Sequence, residues 1–253
     1  MYGAEKGRRL RIFLPRALSV GQNAKNEIGA AMTASSPAAS SRFNAAIVPV
    51  TPFQQNCTLL WDEATKVGCV VDPGGDVPEI LAAIKEVGIR IEKILLTHGH
   101  LDHVGGAAEL KAALGNVPIE GPHKADAMIM ANVEKQAATY GVPGTMKNAT
   151  SDRWLVDGDT VSVAGHTFEI LHCPGHSPGS VVMFNRAQRF ALMGDVLFQG
   201  SIGRTDLPGC SHDQLITAIK TKVLPLGDDV TFICGHGPTS TIGEERLSNP
   251  YIA

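Results

Sequence analysis

At 253 residues, 43% of them hydrophobic, the chain is long enough for a single α/β domain with a large core. A net charge of −3 gives no electrostatic case for nucleic acid or an anionic membrane, and no apolar run reaches the roughly 18 residues of a membrane span. Five scattered cysteines (Cys57, Cys69, Cys173, Cys210, Cys234) argue against a disulfide framework and for the reduced thiols of a cytoplasmic protein.

Residues 1–44 differ from the rest. Up to Arg42 they hold seven basic residues (Lys6, Arg8, Arg9, Arg11, Arg16, Lys25, Arg42) and two acids (Glu5, Glu27). That surplus of +5 leaves −8 for the remainder of a chain whose total is −3. Residues 33–41 are rich in Ala, Ser and Pro, the composition of a flexible linker. The expectation is a disordered extension, or a start site that truly lies at Met32. An Arg-rich, acid-poor segment of this kind also fits an organelle transit peptide. Residues 45–253 are expected to form the domain.

Along that domain, Ala46–Val50, Cys57–Trp61 and Val67–Val71 read as short strands. Residues 76–87 have helical spacing (Ile80, Leu81, Ile84, Val87), with Asp76 at the start and Gly88 as the stop. Ile91–Leu96 reads as a strand, Val104–Leu114 as an amphipathic helix ended by Gly115, and residues 123–140 as one or two helices. Strands are expected at Val161–Val163, Thr167–Leu171, Val181–Phe184, Phe190–Met193 and Val230–Ile233. Ser211 and Gln214, three apart, form a capping-box pattern at the start of a helix. Strand runs with helices between them predict two sheets flanked by helices.

Residues 97–103 read Thr-His-Gly-His-Leu-Asp-His. Three imidazoles and a carboxylate gather there at the end of an apolar run. Neutral imidazole nitrogens and carboxylate oxygens suit zinc, iron or manganese. Three more candidates sit in or beside glycine turns near strand ends: His176 in Pro174-Gly175-His176, Asp195 after Met193-Gly194, and His236 in Cys234-Gly235-His236-Gly237. Each alone is weak, since an isolated histidine is more often structural. Cys173 has a packing role as its better reading, and His123, His166, His172 and His212 read as structural or surface residues.

The ordered motifs Asp72 (in Val71-Asp72-Pro73-Gly74), His98–His103, His176, Asp195 and His236 resemble those of the metallo-β-lactamase superfamily. The match runs over roughly residues 45–250. The stretches Gly194-Asp195-Val196-Leu197-Phe198, Gly203-Arg204-Thr205-Asp206 and Gly235–Thr241 are similar to those of the short, single-domain glyoxalase II-like hydrolases. The resemblance implies an αβ/βα four-layer sandwich and two divalent metal ions, taken as zinc with iron or manganese as alternatives. It implies a first ion on His98, His100 and His176, a second on Asp102, His103 and His236, and Asp195 as the bridge.

Asp102, with hydroxide held between the ions, would carry the chemistry, and no serine or cysteine nucleophile is needed. Asp72 would orient a ligand imidazole, although starting the Asp-Pro-Gly turn explains it equally well. Only 17 residues follow His236, so the helical domain with which longer glyoxalase II enzymes grip glutathione is not expected. Arg204 would either hold an anionic thiol carrier or pair with Asp206. The implied substrate is a small-molecule thioester such as S-lactoylglutathione. The rival is a persulfide dioxygenase using one iron on His98, His176 and Asp195. A nucleic-acid-processing member would need an inserted domain or basic patch that the sequence lacks, and a complete ligand set argues against a non-catalytic metal binder.

Overall fold

The structure, a computed structural model, describes residues 11–13, 42–142 and 144–252. The first half supplies β1 (Arg11–Phe13), β2 (Phe43–Val50), β3 (Gln55–Asp62), β4 (Val67–Val71), α1 (Val77–Val87), β5 (Arg90–Leu95), α2 (Leu101–Val104), α3 (Ala107–Ala113), β6 (Ile119–Glu120), α4 (Ala127–Met130) and α5 (Val133–Tyr140). Its six strands lie side by side in chain order. β1 to β4 pair antiparallel; β5 and β6 continue in parallel, with helices as the crossovers.

The second half supplies β7 (Thr160–Val163), β8 (His166–His172), β9 (Val181–Asn185), β10 (Phe190–Gly194), the hairpin β11 (Leu197–Phe198) and β12 (Ser201–Ile202), α6 (His212–Ala218), β13 (Thr231–Cys234), β14 (Ser240–Thr241) and α7 (Ile242–Ser248). Six of these strands form the second sheet, in the order β14-β13-β10-β9-β8-β7.

Period-two patterning assigns each strand two apolar faces, because both sheets are covered on both sides. Along β3, Leu59 and Trp61 join Ile80 and Ile84 of α1 in one cluster, while Leu60 joins the core between the sheets. Along β10, Ala191 and Met193 pack with Leu215 of α6 and Ile242 of α7, and Phe190 and Leu192 turn inward. The central layer includes Phe43, Phe168 and Phe190, with Phe43 ring centroids 5.7 and 5.1 Å from the other two. Each such ring is fully buried and contributes about 2 kcal/mol by leaving water. The result is helix, sheet, sheet, helix: the four-layer sandwich.

Several local expectations are refined. β1 pairs with β2, Arg11 opposite Ile47, so part of the N-terminal stretch belongs to the first sheet. The rest of it, residues 1–10 and 14–41, lies outside the described residues. The helix expected at Val104–Leu114 starts earlier, at Leu101, and breaks at Gly105-Gly106. A Cβ at Gly106 would lie 2.8 Å from the Pro73 carbonyl, so the pair lets the Asp72–Gly74 turn pack against the helix. Asp76 is not a side-chain cap for α1; its φ is 48° and its Oδ2 accepts from the Thr51 backbone N–H at 2.8 Å. Ser211 does cap α6, accepting from Gln214 N–H. The β11–β12 hairpin, β14 and α7 are too short or too polar for a periodic signal.

Candidate metal centre

Parallel pairing brings the carboxyl ends of β4 and β5 to one edge of the first sheet, where Asp72 and residues 97–103 follow them. Parallel pairing of β10 with β13 does the same for Asp195 and His236 in the second sheet. β9 runs antiparallel to β10, so the turn before it, holding His176, reaches that same edge. Backbone bonds join the two sheets there: Val181 N–H to Thr97 O at 2.8 Å, and Asn56 N–H to Gly235 O at 2.8 Å. All seven ligand candidates named from the sequence meet at this seam.

They fall into two groups. The ring nitrogens of His98, His100 and His176 lie within 4.8 Å of one another, as do the donor atoms of Asp102, His103 and His236. Asp195 stands between them. Its Oδ1 is 3.4 Å from His103 Nε2, and its Oδ2 is 3.5 Å from His176 Nε2 and 3.6 Å from His236 Nε2. Asp102 Oδ2 is 3.2 Å from His236 Nε2. A Cβ at Gly235 would lie only 1.9 Å from Asp195 Oδ1, so glycine alone fits beside the centre.

The hydrogen-bond network fixes which nitrogen of each ring is available. His103 Nδ1–H donates to Asp72 Oδ2 at 2.9 Å. His176 Nδ1–H donates to the Arg204 carbonyl at 3.0 Å, and His236 Nδ1–H to the Phe53 carbonyl at 3.2 Å. Thr97 Oγ1–H donates to Asp72 Oδ2 at 2.5 Å, so it accepts from His98 Nδ1–H at 3.1 Å. Four imidazoles thus turn Nε2 lone pairs inward. His100 presents Nδ1, 2.9 Å from His176 Nε2.

Three of the inward atoms, His98 Nε2, His103 Nε2 and Asp195 Oδ1, are buried without a well-formed hydrogen bond, His103 Nε2 and Asp195 Oδ1 standing 3.4 Å from each other. Buried polar atoms normally find partners, so this convergence fits a cation. Asp72 also lies near His98 and His103. Its oxygens are already engaged by Thr97 N–H at 2.7 Å, the Thr97 hydroxyl and His103, which makes it an orienting group behind the ligand atoms.

The electrostatics point the same way. Burial drives the His98 pKa well below the usual histidine value, and burial with His176 drives that of His100 down to about 4. Burial would raise Asp195, but His103 and then His98 hold it well below the usual carboxylate range. Burial likewise opposes ionisation of Asp102, and His103 and His236 overcome it. Neutral imidazoles and ionised carboxylates are the protonation states that ligands need. His103 and His236 go the other way: against burial, Asp195, Asp102 and Asp72 raise His103 well above its ordinary value, and Asp102 and Asp195 raise His236. That field favours positive charge at His103 Nε2, whether a proton or a metal ion carries it.

The centre forms the floor of a cleft of about 680 Å³. Phe53, Leu101, Tyr140, Phe198 and Leu207 line it, with Arg204 at the mouth. Arg204 makes a bidentate pair with Asp206, at 2.7 and 2.8 Å, and both side chains are exposed. The remaining histidines stand apart from the seven. His123 stacks on His172 with centroids 4.1 Å apart, and His166 Nε2 is 3.0 Å from Asp62 Oδ2. Cys173 is fully buried in the core of the second sheet. Sequence reasoning missed Phe53 and Tyr140, single residues without a motif. It also missed Asp126, a buried carboxylate behind the histidine turns.

A four-layer sandwich with a His/Asp centre at the seam of its sheets defines a class of metal-dependent enzymes. The chain belongs to the metallo-β-lactamase superfamily, whose family model matches residues 50–236. It is 44% identical to the hydroxyacylglutathione hydrolase GloC of Haemophilus influenzae over 83% of this chain and 98% of that one. The crystal structure of the BLEG-1 B3 metallo-β-lactamase superposes with a TM-score of 0.75 at 33% identity, covering 82% of this chain and 99% of that one. That of TTHA1623 in a di-iron-bound form gives 0.71 at 35% identity, covering 81% and 100%. The protein is therefore a metallo-hydrolase by family, with His/Asp clusters suited to divalent metal. No described helix is long and apolar enough to cross a membrane.

Proposed function

We propose that the protein is a binuclear metal-dependent thioester hydrolase, acting on S-lactoylglutathione or a related hydroxyacyl-glutathione. The observation that carries this reading is the set of seven converging side chains with three buried donor atoms that lack a well-formed hydrogen bond. Seven ligands are too many for one tetrahedral ion and suit a pair. His98, His100 and His176 would hold the first ion, Asp102, His103 and His236 the second, and Asp195 both. Zinc is the metal we assign; iron is the alternative, given a relative solved in di-iron form. Bound divalent ions supply two things here: water acidified to a pKa of about 7, and a Lewis acid for the thioester carbonyl.

The chain's own residues do the rest. Asp102, ionised on the cleft floor, would orient the attacking water by accepting a hydrogen bond from it at a carboxylate oxygen. Asp72 holds His103 in one tautomer. The aromatic and aliphatic walls keep bulk water from the acyl group. Arg204 recognises an anionic part of the thiol carrier by exchanging Asp206 for it. An exposed ion pair is worth about 0–1 kcal/mol, so the exchange is cheap. The name of the Haemophilus relative supports the glutathione thioester. A one-iron persulfide dioxygenase on His98, His176 and Asp195 would leave the Asp102, His103 and His236 group without a role.

The test is metal analysis of purified protein beside three assays: S-lactoylglutathione hydrolysis, hydrolysis of a β-lactam, and oxygen uptake with glutathione persulfide. Two ions per chain and thioester turnover abolished by chelation are expected. Oxygen uptake without thioester turnover would overturn the reading in favour of the dioxygenase.

A further inference from the structure

Asp126 ends the 3-10 turn Lys124–Asp126, between β6 and α4, and is fully buried. Its carboxylate accepts three hydrogen bonds. Oδ2 takes the Gly99 backbone N–H at 2.7 Å and the Ser177 hydroxyl at 2.7 Å; Oδ1 takes the Gly179 N–H at 2.6 Å. Gly99 lies between His98 and His100, and Ser177 directly follows His176. One carboxylate therefore clasps the two turns that bear the first histidine group.

The clasp is built tightly. A Cβ at Gly99 would stand 2.9 Å from Asp126 Cβ, and one at Gly179 would stand 2.5 Å from Asp126 Cγ. Ser180 Oγ lies 2.8 Å from Ser177 Oγ, and with the Ser177 proton committed to Asp126 it is Ser180 that donates. The turn itself is pinned by His123 N–H to Gly179 O and Asp126 N–H to His123 O, both 3.1 Å. Burial pushes the Asp126 carboxyl up and its three hydrogen bonds oppose this; with both oxygens accepting, the geometry is that of a carboxylate, whose hydrogen bonds are about twice as strong as neutral ones.

We infer that Asp126 is a positioning residue for the first metal group, locking the His98–His100 turn against the His176 turn so that three imidazole nitrogens converge. This rests on the two-ion reading above. It concerns a residue that touches neither metal nor substrate. Asparagine at 126 keeps size but turns an N–H₂ toward at least one of the three donors, so one turn is released.

The experiment is titration of the metal-free full-length protein with Co²⁺, followed by visible absorption and equilibrium binding. Asp126→Asn should weaken the tighter or looser phase belonging to His98, His100 and His176 by about 10- to 100-fold and change its absorption band. The other phase should hold. In cobalt-saturated enzyme kcat should fall while KM for the thioester stays within about twofold, because the substrate wall is untouched. Ser177→Ala removes one bond and keeps the charge, so it should fold and lose roughly fivefold in the same phase. Cobalt affinity and spectrum unchanged in either variant, with only a lower melting temperature, would overturn the inference and leave Asp126 structural. If Asp126→Asn does not fold, the Ser177→Ala titration decides. If the wild-type chain hydrolyses no thioester, the cobalt readout still decides on Asp126 independently.

Discussion

The inner and outer walls of the cleft are built on opposite principles. On the inner side, behind the residues that line the cleft, His98 and His103 are wholly inaccessible, and Asp195 on the cleft floor is 7% exposed; every ring nitrogen turned away from the centre on His98, His103, His176 and His236 has a partner. On the outer wall Tyr140 is 60% and Phe53 44% exposed, and Arg204, the one Lys or Arg among the described lining residues, pairs with the exposed carboxylate of Asp206. On the proposed reading, the chemistry rests on a buried network that tolerates little, and substrate choice rests on surface groups that can be exchanged at small cost.

Breaking the inner wall should have the largest consequence. Asp195→Ala removes a carboxylate that faces both groups, and transition-state stabilisation by the ions is worth several kcal/mol, so kcat/KM should fall about a thousandfold or more. Metal loss should exceed that of His236→Ala, which removes one contact. Elemental analysis of the two variants checks this, and equal loss would argue against the bridge. Asp72→Ala comes next. It strips His103 of its orienting partner and should cost about 10- to 100-fold in metal affinity, read by competition with a chromophoric chelator.

The outer wall should answer differently. Arg204→Ala should lower kcat/KM for glutathione thioesters by up to about fivefold through KM, and barely affect thioesters of an uncharged thiol. Metal content should stay at the wild-type level. Equal loss on both substrates would make Arg204 structural, acting through Asp206. The smallest effect is expected from deleting residues 1–42. The segment contributes β1 at the edge of the first sheet, separated by β2 and β3 from the β4 and β5 ends that carry the centre, so turnover and metal content should stay within about twofold. Removing β1 also bares the apolar edge of β2, and light scattering should show more self-association.

The same contrast explains what could be read from the chain. The His98–His103 run is legible because its side chains must be contiguous to fill one turn at a strand end. His176, Asp195 and His236 are legible only as a set, since each arrives from a different loop and parallel pairing unites them. Asp126 left no trace in the sequence, because an acid among helical residues looks like any solvated one. Its role depends on where β6 delivers the chain. Strand interiors were read well, since alternating burial on two covered faces leaves near-continuous apolar runs. Helix boundaries at Gly105-Gly106 and Asp76 were set by contacts with the Pro73 and Thr51 backbone, which no local pattern carries.

On the proposed reading, two metal ions on these seven side chains are needed to hydrolyse a thioester. The most direct measurement is S-lactoylglutathione turnover by protein stripped with a chelator and reloaded stepwise with zinc, with metal content determined at each step. Activity should be absent in the stripped protein and reach its full value only as content approaches two ions per chain. Full activity at one ion, or none at two, would contradict it.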